Sequence, residues 1–404
     1  MTALEIPAEP DLARMRRECG ARLRAAMERQ GVDALIVLGS TNVAYAAGVS
    51  WPLGDSGLAH VDRPVAVVVA NDECPHLFMP FREGASPGAH LPADHLHGPV
   101  YLEYDEGVRG FARVLRDLLP SGAVVAVDES TGAMRRASTT LLPGGPPRDA
   151  GPVLSAAKVI KTPDEIACIR KALRITEAAM ADISGLLEPG VRQIDLSGHF
   201  VRRAFEQGAE ANLLEPIWQV MPSRREDGVW TTHGDLALPL LPTERELAKG
   251  DVIWADVSIS YAGYCSDFGR TWVVGQDPAP RQHEQFRRWR SIMAAVLEVT
   301  RAGASAADLT KAAIAANGDG GRPWLPHFYL GHGLGTGPAE MPFVGTDLGG
   351  EFDEKLILEA GMVLVLEPAV WADGTGGYRS EEVMVITDEG WTALTDYPYA
   401  PYVD

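Results

Sequence analysis

The stretch WADVSISYAGYCSDFGRTW, residues 254–272, decides how this chain is read. Its flanks, WADVSIS and YCSDFGRTWVV, have the composition of β-strands, and Ala262-Gly263 between them suits a tight hairpin turn. With that pair as the loop, Asp256 faces Gly269 and Ser258 faces Asp267. Side-chain direction repeats every two residues, so Asp256 and Asp267 become diagonal neighbours on one face. Carboxylates so placed repel each other unless a cation sits between them. The hairpin alone leaves two readings open: a solvated face of an antiparallel sheet, or a metal-binding face.

Three later segments bear on that choice. In GHGLG, residues 331–335, a histidine lies between glycines, where backbones can approach closely and the ring can reach a site. In MVLVLEPAV, residues 362–370, Glu367 ends an apolar strand just before Pro368. YRSEEVMVIT, residues 378–387, holds Glu381 and Glu382, which face opposite sides of a strand, and parity cannot choose between them. Each segment also has a plain structural explanation: a hydrogen-bonded histidine, a capping acid, a partner arginine. Together they supply oxygen ligands and one imidazole, a mixture that suits two divalent ions.

The 404 residues allow two domains. A hydrophobic content of 46% with 23% charged residues supports a sizeable core. The formal net charge of -19 argues against a nucleic-acid partner. No apolar run is long enough to cross a bilayer, and the N-terminus lacks a signal-peptide core, so no membrane role is expected. Cys19, Cys74, Cys168 and Cys265 are scattered, which predicts a reducing, cytoplasmic setting without a disulfide framework.

Helical spacing over 12–30, strands at 33–39, 64–70, 76–80 and 123–128, and a helix near 108–119 predict an α/β domain over residues 1–152. The Pro- and Gly-rich LPGGPPRDAGP, residues 142–152, reads as the boundary. Beyond it, residues 153–404 read as an α+β domain. There Thr162 caps a helix that starts at Pro163, and further helices are expected near 193–207 and 281–299.

The order and spacing of these motifs resemble the pita-bread metallopeptidases, in the creatinase, prolidase and aminopeptidase P branch. DALIVLG with NVAYAAGV is similar to the branch's N-terminal domain, and AKVIKTPDEIACIRKA to the start of its catalytic domain. The resemblance implies a creatinase-like α/β N-terminal domain and an α+β pita-bread catalytic domain. It implies Asp256, Asp267, His332, Glu367 and Glu381 as ligands of two divalent ions, Mn first, with Fe, Co or Zn also suiting the donors. Glu381 is taken over Glu382 because it stands two residues after Arg379, as in the family's Arg-x-Glu pattern.

The implied reaction is cleavage of an amide next to proline in a small peptide. Paired ions acidify a water molecule and polarise the carbonyl, and Glu367 moves the proton to the leaving amine. A homodimer is the implied assembly.

Three departures stand out. Ser258 replaces the glycine of the family's Asp-x-Gly motif, which predicts a narrowed or repolarised pocket. Ala339 occupies the position of a second histidine, whose hydrogen bond to the developing oxyanion contributes about 3 kcal/mol. The upstream histidine motif has its counterpart in TTHGD, at His233. His327 and His233 are therefore candidate replacement donors, and Trp254 is a candidate pocket wall with core packing as its plainer role. The loss at 339 also admits a second reading, a metal-dependent lyase or amidohydrolase on a small non-peptide molecule, such as dimethylsulfoniopropionate.

Overall fold

The computed structural model describes residues 5–49, 63–79, 88–142, 144–221, 244–318, 321–372 and 376–402. The chain forms two compact units, Pro10–Lys158 and Met1–Glu9 with Val159–Asp404.

The first unit opens with the helix Leu12–Gln30. Asp11 caps it by accepting the Arg14 amide at 3.0 Å, and Gly31 ends it at φ 61°. Six strands follow: β1 (Ala34–Val37), β2 (Val65–Val69), β3 (His76–Phe78), β4 (Leu96–His97), β5 (Val125–Val127) and β6 (Arg148–Asp149). They form a mixed sheet in the order β4-β3-β2-β1-β5-β6, antiparallel between β1, β2 and β3 and parallel elsewhere. The helix Asp105–Leu118 buries Val108, Phe111, Ala112 and Leu115 in the same core as Ile36, Val67 and Val125.

The second unit begins with the helix Pro163–Ser184. Thr162 and Glu165 close a capping box at its start, with Pro163 in the first helical position. The helices Gln193–Glu206, Pro280–Val299 and Ala306–Ala316 come later. One sheet runs β10-β8-β7 and contains β7 (Ala211–Val220), β8 (Val252–Tyr261), β9 (Tyr264–Cys265, on β8) and β10 (Phe268–Val273). A second runs β12-β11-β13-β16-β17, from β11 (Gly331–Gly333), β12 (Glu340–Val344), β13 (Val363–Leu366), β16 (Glu382–Ile386) and β17 (Trp391–Ala393). β14 (Ala369–Ala372) and β15 (Gly376–Arg379) pair as a separate ribbon.

The hairpin read from the sequence forms with the expected register. Ala262 and Gly263 both take positive φ, 50° and 79°, the signature of a type I′ turn whose twist suits flanking strands. Tyr261 pairs with Tyr264 and Asp256 with Gly269. Among the described residues, no helix is long and apolar enough to cross a membrane.

Candidate metal centre

Five separate stretches of chain bring one residue set together. Asp256 lies within β8, and Asp267 precedes β10 on the returning arm of the hairpin. His332 is the middle residue of β11. Its flanking glycines are required there: a Cβ on Gly331 would stand 2.4 Å from the Val365 carbonyl oxygen, and one on Gly333 2.2 Å from that of Met341. Glu367 follows β13, and its amide donates to the Leu330 carbonyl at 2.9 Å. Glu381 occupies the gap between β15 and β16, with its amide donating to the Gly269 carbonyl at 3.0 Å. A Cβ on Gly269 would fall 2.6 Å from Glu381 Oε1, so only glycine permits this approach opposite Asp256.

The gap also separates the adjacent glutamates. Glu381 is buried beside the aspartates, of which Asp256 is partly exposed, while Glu382 turns to Arg270 at 3.0 Å and accepts from Tyr399 at 2.7 Å. Oxygens of Asp256, Asp267 and Glu381 lie within 4.8 Å of one another. His332 Nε2 stands 3.1 Å from Asp267 Oδ2 and 3.5 Å from Glu367 Oε1. Its other nitrogen, Nδ1, is 2.9 Å from the Gly333 carbonyl, which can only accept. Nδ1 therefore carries a proton, and Nε2 faces carboxylates, an arrangement that calls for a cation between them.

Arg379 is the residue the sequence reading did not assign. Its guanidinium contacts Glu367 Oε2 and Glu381 Oε1 and lies 3.3 Å from Asp256 Oδ2. Its other face lies 4.2 Å from the Trp254 ring centroid. Trp254 is buried and also packs with Met221, Val252 and Leu325, so it both fills core and floors the arginine. The one sequence clue to Arg379 was its place in YRSEE, where an arginine beside two acids also reads as an ordinary ion pair.

The electrostatics test whether cations fit. Four buried or nearly buried carboxylates surround one guanidinium and one imidazole. Burial pushes the Asp256 carboxyl up to about 7; Arg379 opposes this while Asp267 and Glu367 add to it. Burial raises Glu367 and carries Glu381 well above the ordinary carboxylate range, again against Arg379. Burial disfavours protonated His332, yet the hydrogen bond and charge of Asp267 carry it above its usual value. Glu381 Oε1 has the Arg379 ion pair, and Oε2 accepts no hydrogen bond. Such a cluster is short of positive charge, and oxygen-rich donors with one imidazole suit divalent ions.

The remaining candidates lie elsewhere. His327 is exposed at φ 57°, with Nδ1 2.6 Å from Asp347 Oδ2. It lines a cavity of about 420 Å³ with Arg288, Arg322, Trp324 and Trp371. His233 falls outside the described residues. The buried Ser258 Oγ donates to the Ser266 carbonyl at 2.6 Å. That bond fixes the arm before Asp267, so the hydroxyl is spent across the hairpin. Ala339 is exposed, and the neighbouring Glu340 pairs with the buried Lys161 at 2.7 Å and accepts from the Gly337 amide at 3.3 Å. Tyr329, unremarked in the sequence, packs its ring edge-on to His332 at 4.9 Å. Burial, then the charges of Glu367, Asp267 and Asp256, push its phenol above the ordinary range, which keeps its proton in place.

Comparison with known proteins agrees with this geometry. Residues 167–388 match metallopeptidase family M24, and residues 21–157 match the creatinase/prolidase N-terminal domain. The chain belongs to metallopeptidase family M24. "Uncharacterized peptidase YqhT" of Bacillus subtilis (strain 168) is 30% identical over 244 residues, 60% of this chain and 63% of that protein. The match therefore spans less than two thirds of that relative's length.

Among solved structures, the Xaa-Pro dipeptidase from Bacillus anthracis superposes with a TM-score of 0.74 at 21% identity, covering 96% of this chain and 99% of that one. The recombinant prolidase from Thermococcus sibiricus gives 0.73 at 25% identity, covering 95% and 97%. Both expected architectures, the creatinase-like N-terminal domain and the M24 catalytic domain, are thus present. Nothing among the relatives supports the lyase alternative.

Proposed function

We propose that this M24 peptidase is an Xaa-Pro dipeptidase or aminopeptidase, with Asp256, Asp267, His332, Glu367 and Glu381 as ligands of two divalent ions. The observation that carries the reading is the buried excess of carboxylates, with His332 Nε2 turned into it. Ions held there supply positive charge that polarises a carbonyl and acidifies a water molecule. Manganese is the first choice for such an oxygen-rich shell.

In this reading Glu367 moves the proton. Burial raises its affinity for one, and the Arg379 guanidinium holds one of its oxygens in position. Tyr329 is the donor nearest in kind to the one missing at Ala339. Its phenol stays protonated, and its ring is braced by Phe328 at 4.0 Å and by His332. His327, held by Asp347 on the rim of its cavity, has a role in binding substrate rather than in proton transfer. A cytoplasmic homodimer is the working assembly.

The test is to incubate the manganese-loaded enzyme with Xaa-Pro dipeptides, Xaa-Pro-Yaa tripeptides and matched peptides lacking proline. Release of the N-terminal residue from the proline series alone is expected. No release from any Xaa-Pro peptide at high enzyme concentration would rule the assignment out.

A further inference from the structure

The hairpin that carries both aspartates is interrupted where Asp267 leaves it. β9 ends at Cys265 and β10 begins at Phe268, so Ser266 and Asp267 lie between two paired stretches of the same arm. The register is the same on both sides of the gap, with Ser260 facing Cys265 and Val257 facing Phe268. Ser258 and Ile259 therefore stand opposite Asp267 and Ser266. No residue is inserted in either strand, so the interruption is not a bulge.

Half of the rung between Ile259 and Ser266 is ordinary, with the Ser266 amide donating to the Ile259 carbonyl at 2.9 Å. The other half runs through side chains. The Ile259 amide donates to Ser266 Oγ at 3.0 Å, and Ser258 Oγ donates to the Ser266 carbonyl at 2.6 Å. The carbonyl immediately before Asp267 is thus held by a side chain of β8.

A third hydroxyl joins from behind. Thr176, on the helix Pro163–Ser184, donates to Ser266 Oγ at 2.7 Å. Ser258, Ser266 and Thr176 are all buried, so a partner left behind by a lost hydroxyl has no solvent to turn to. The same arm is tied at two further points. Tyr264 donates to Glu165 Oε1 at 3.1 Å, and the Cys265 amide donates to the Gly335 carbonyl at 2.8 Å. Gly335 follows shortly after His332, whose Nε2 is 3.1 Å from Asp267 Oδ2.

Plain satisfaction of buried hydroxyls is the competing explanation. It would ask only that each hydroxyl find some partner. Here hydroxyls from β8, from the returning arm and from a helix converge on the single residue before Asp267.

We propose that Ser258, Ser266 and Thr176 are positioning residues for Asp267, and that Ser258 tunes the metal affinity of the centre through the Ser266 carbonyl. Partners that fix the direction of a ligand contribute about 10- to 100-fold in metal affinity or activity. A glycine at 258, the residue of the Asp-x-Gly pattern, has no donor to offer there. This role depends on the proposed ligation of Asp267.

The test uses the full-length protein and its Ser258→Ala and Thr176→Val variants, each stripped of metal with a chelator. Manganese(II) is titrated into each, and the free ion is followed by its electron paramagnetic resonance signal. Ser258→Ala should weaken manganese binding about tenfold or more, and Thr176→Val should weaken it in the same direction by about threefold. Urea unfolding of the metal-free proteins supplies the second readout. A lower unfolding midpoint with manganese affinity unchanged is what a merely structural role gives, and it would overturn the proposal. A parent protein that takes up no manganese would remove the ligand assignment itself. A parent that binds it as tightly as both variants do would overturn the positioning role alone.

Discussion

The two acid and histidine clusters of this chain are built to different rules. In the catalytic unit, four carboxylates converge from four elements into a buried space, and a single arginine faces three of them. In the N-terminal unit, one third-exposed aspartate meets two histidines on a turn and a short 3₁₀ segment at a sheet edge. The first arrangement is costly without cations, because buried like charges cannot all stay ionised. The second costs little, since imidazoles and a partly solvated carboxylate are tolerable neighbours. A buried charge excess therefore calls for cations, and the lean edge cluster does not.

Changes in the deep cluster should dominate every measurement. Glu367→Gln keeps the shape and removes the proton carrier, so kcat on an Xaa-Pro substrate should fall by about 10³-fold or more, followed by steady-state assay. A fall of less than tenfold would move the proton-transfer role off Glu367. Arg379→Met strips the cluster of its guanidinium, and urea unfolding of the metal-free protein should show a loss of about 3 kcal/mol. Divalent ions should restore much of that loss if they supply the same positive charge. Tyr329→Phe should lower kcat by about 10²-fold with little change in KM, the mark of a bond made in the transition state. An unchanged kcat would return the question of the oxyanion donor to His233. His327→Ala should have the smallest effect, a KM raised by about threefold to tenfold with kcat held.

Much of this was legible in the residues, and the exceptions have physical causes. Ala262-Gly263 fixed a turn, the turn fixed the register, and the register put Asp256 opposite Gly269. The capping signals at Thr162 and Pro163 were equally local, and they stand where expected. Glu381 and Glu382 could not be separated by alternation, because the break between β15 and β16 resets the strand's facing. Arg379 served the sequence only as a marker for Glu381, and Tyr329 carries no spacing signal; burial among the acids gives both their character. Ser258 was expected to alter the pocket, and its hydroxyl instead reaches across the hairpin. Asp72, His76 and His95 went unread because a strand pairing joins segments about twenty residues apart, and no local pattern announces it.

The most direct test of the central claim is a metal count on the parent protein, compared with the same protein carrying Asp267→Ala. The account predicts about two divalent ions per chain in the first and fewer than about half an ion in the second. Equal metal content in the two proteins would contradict it.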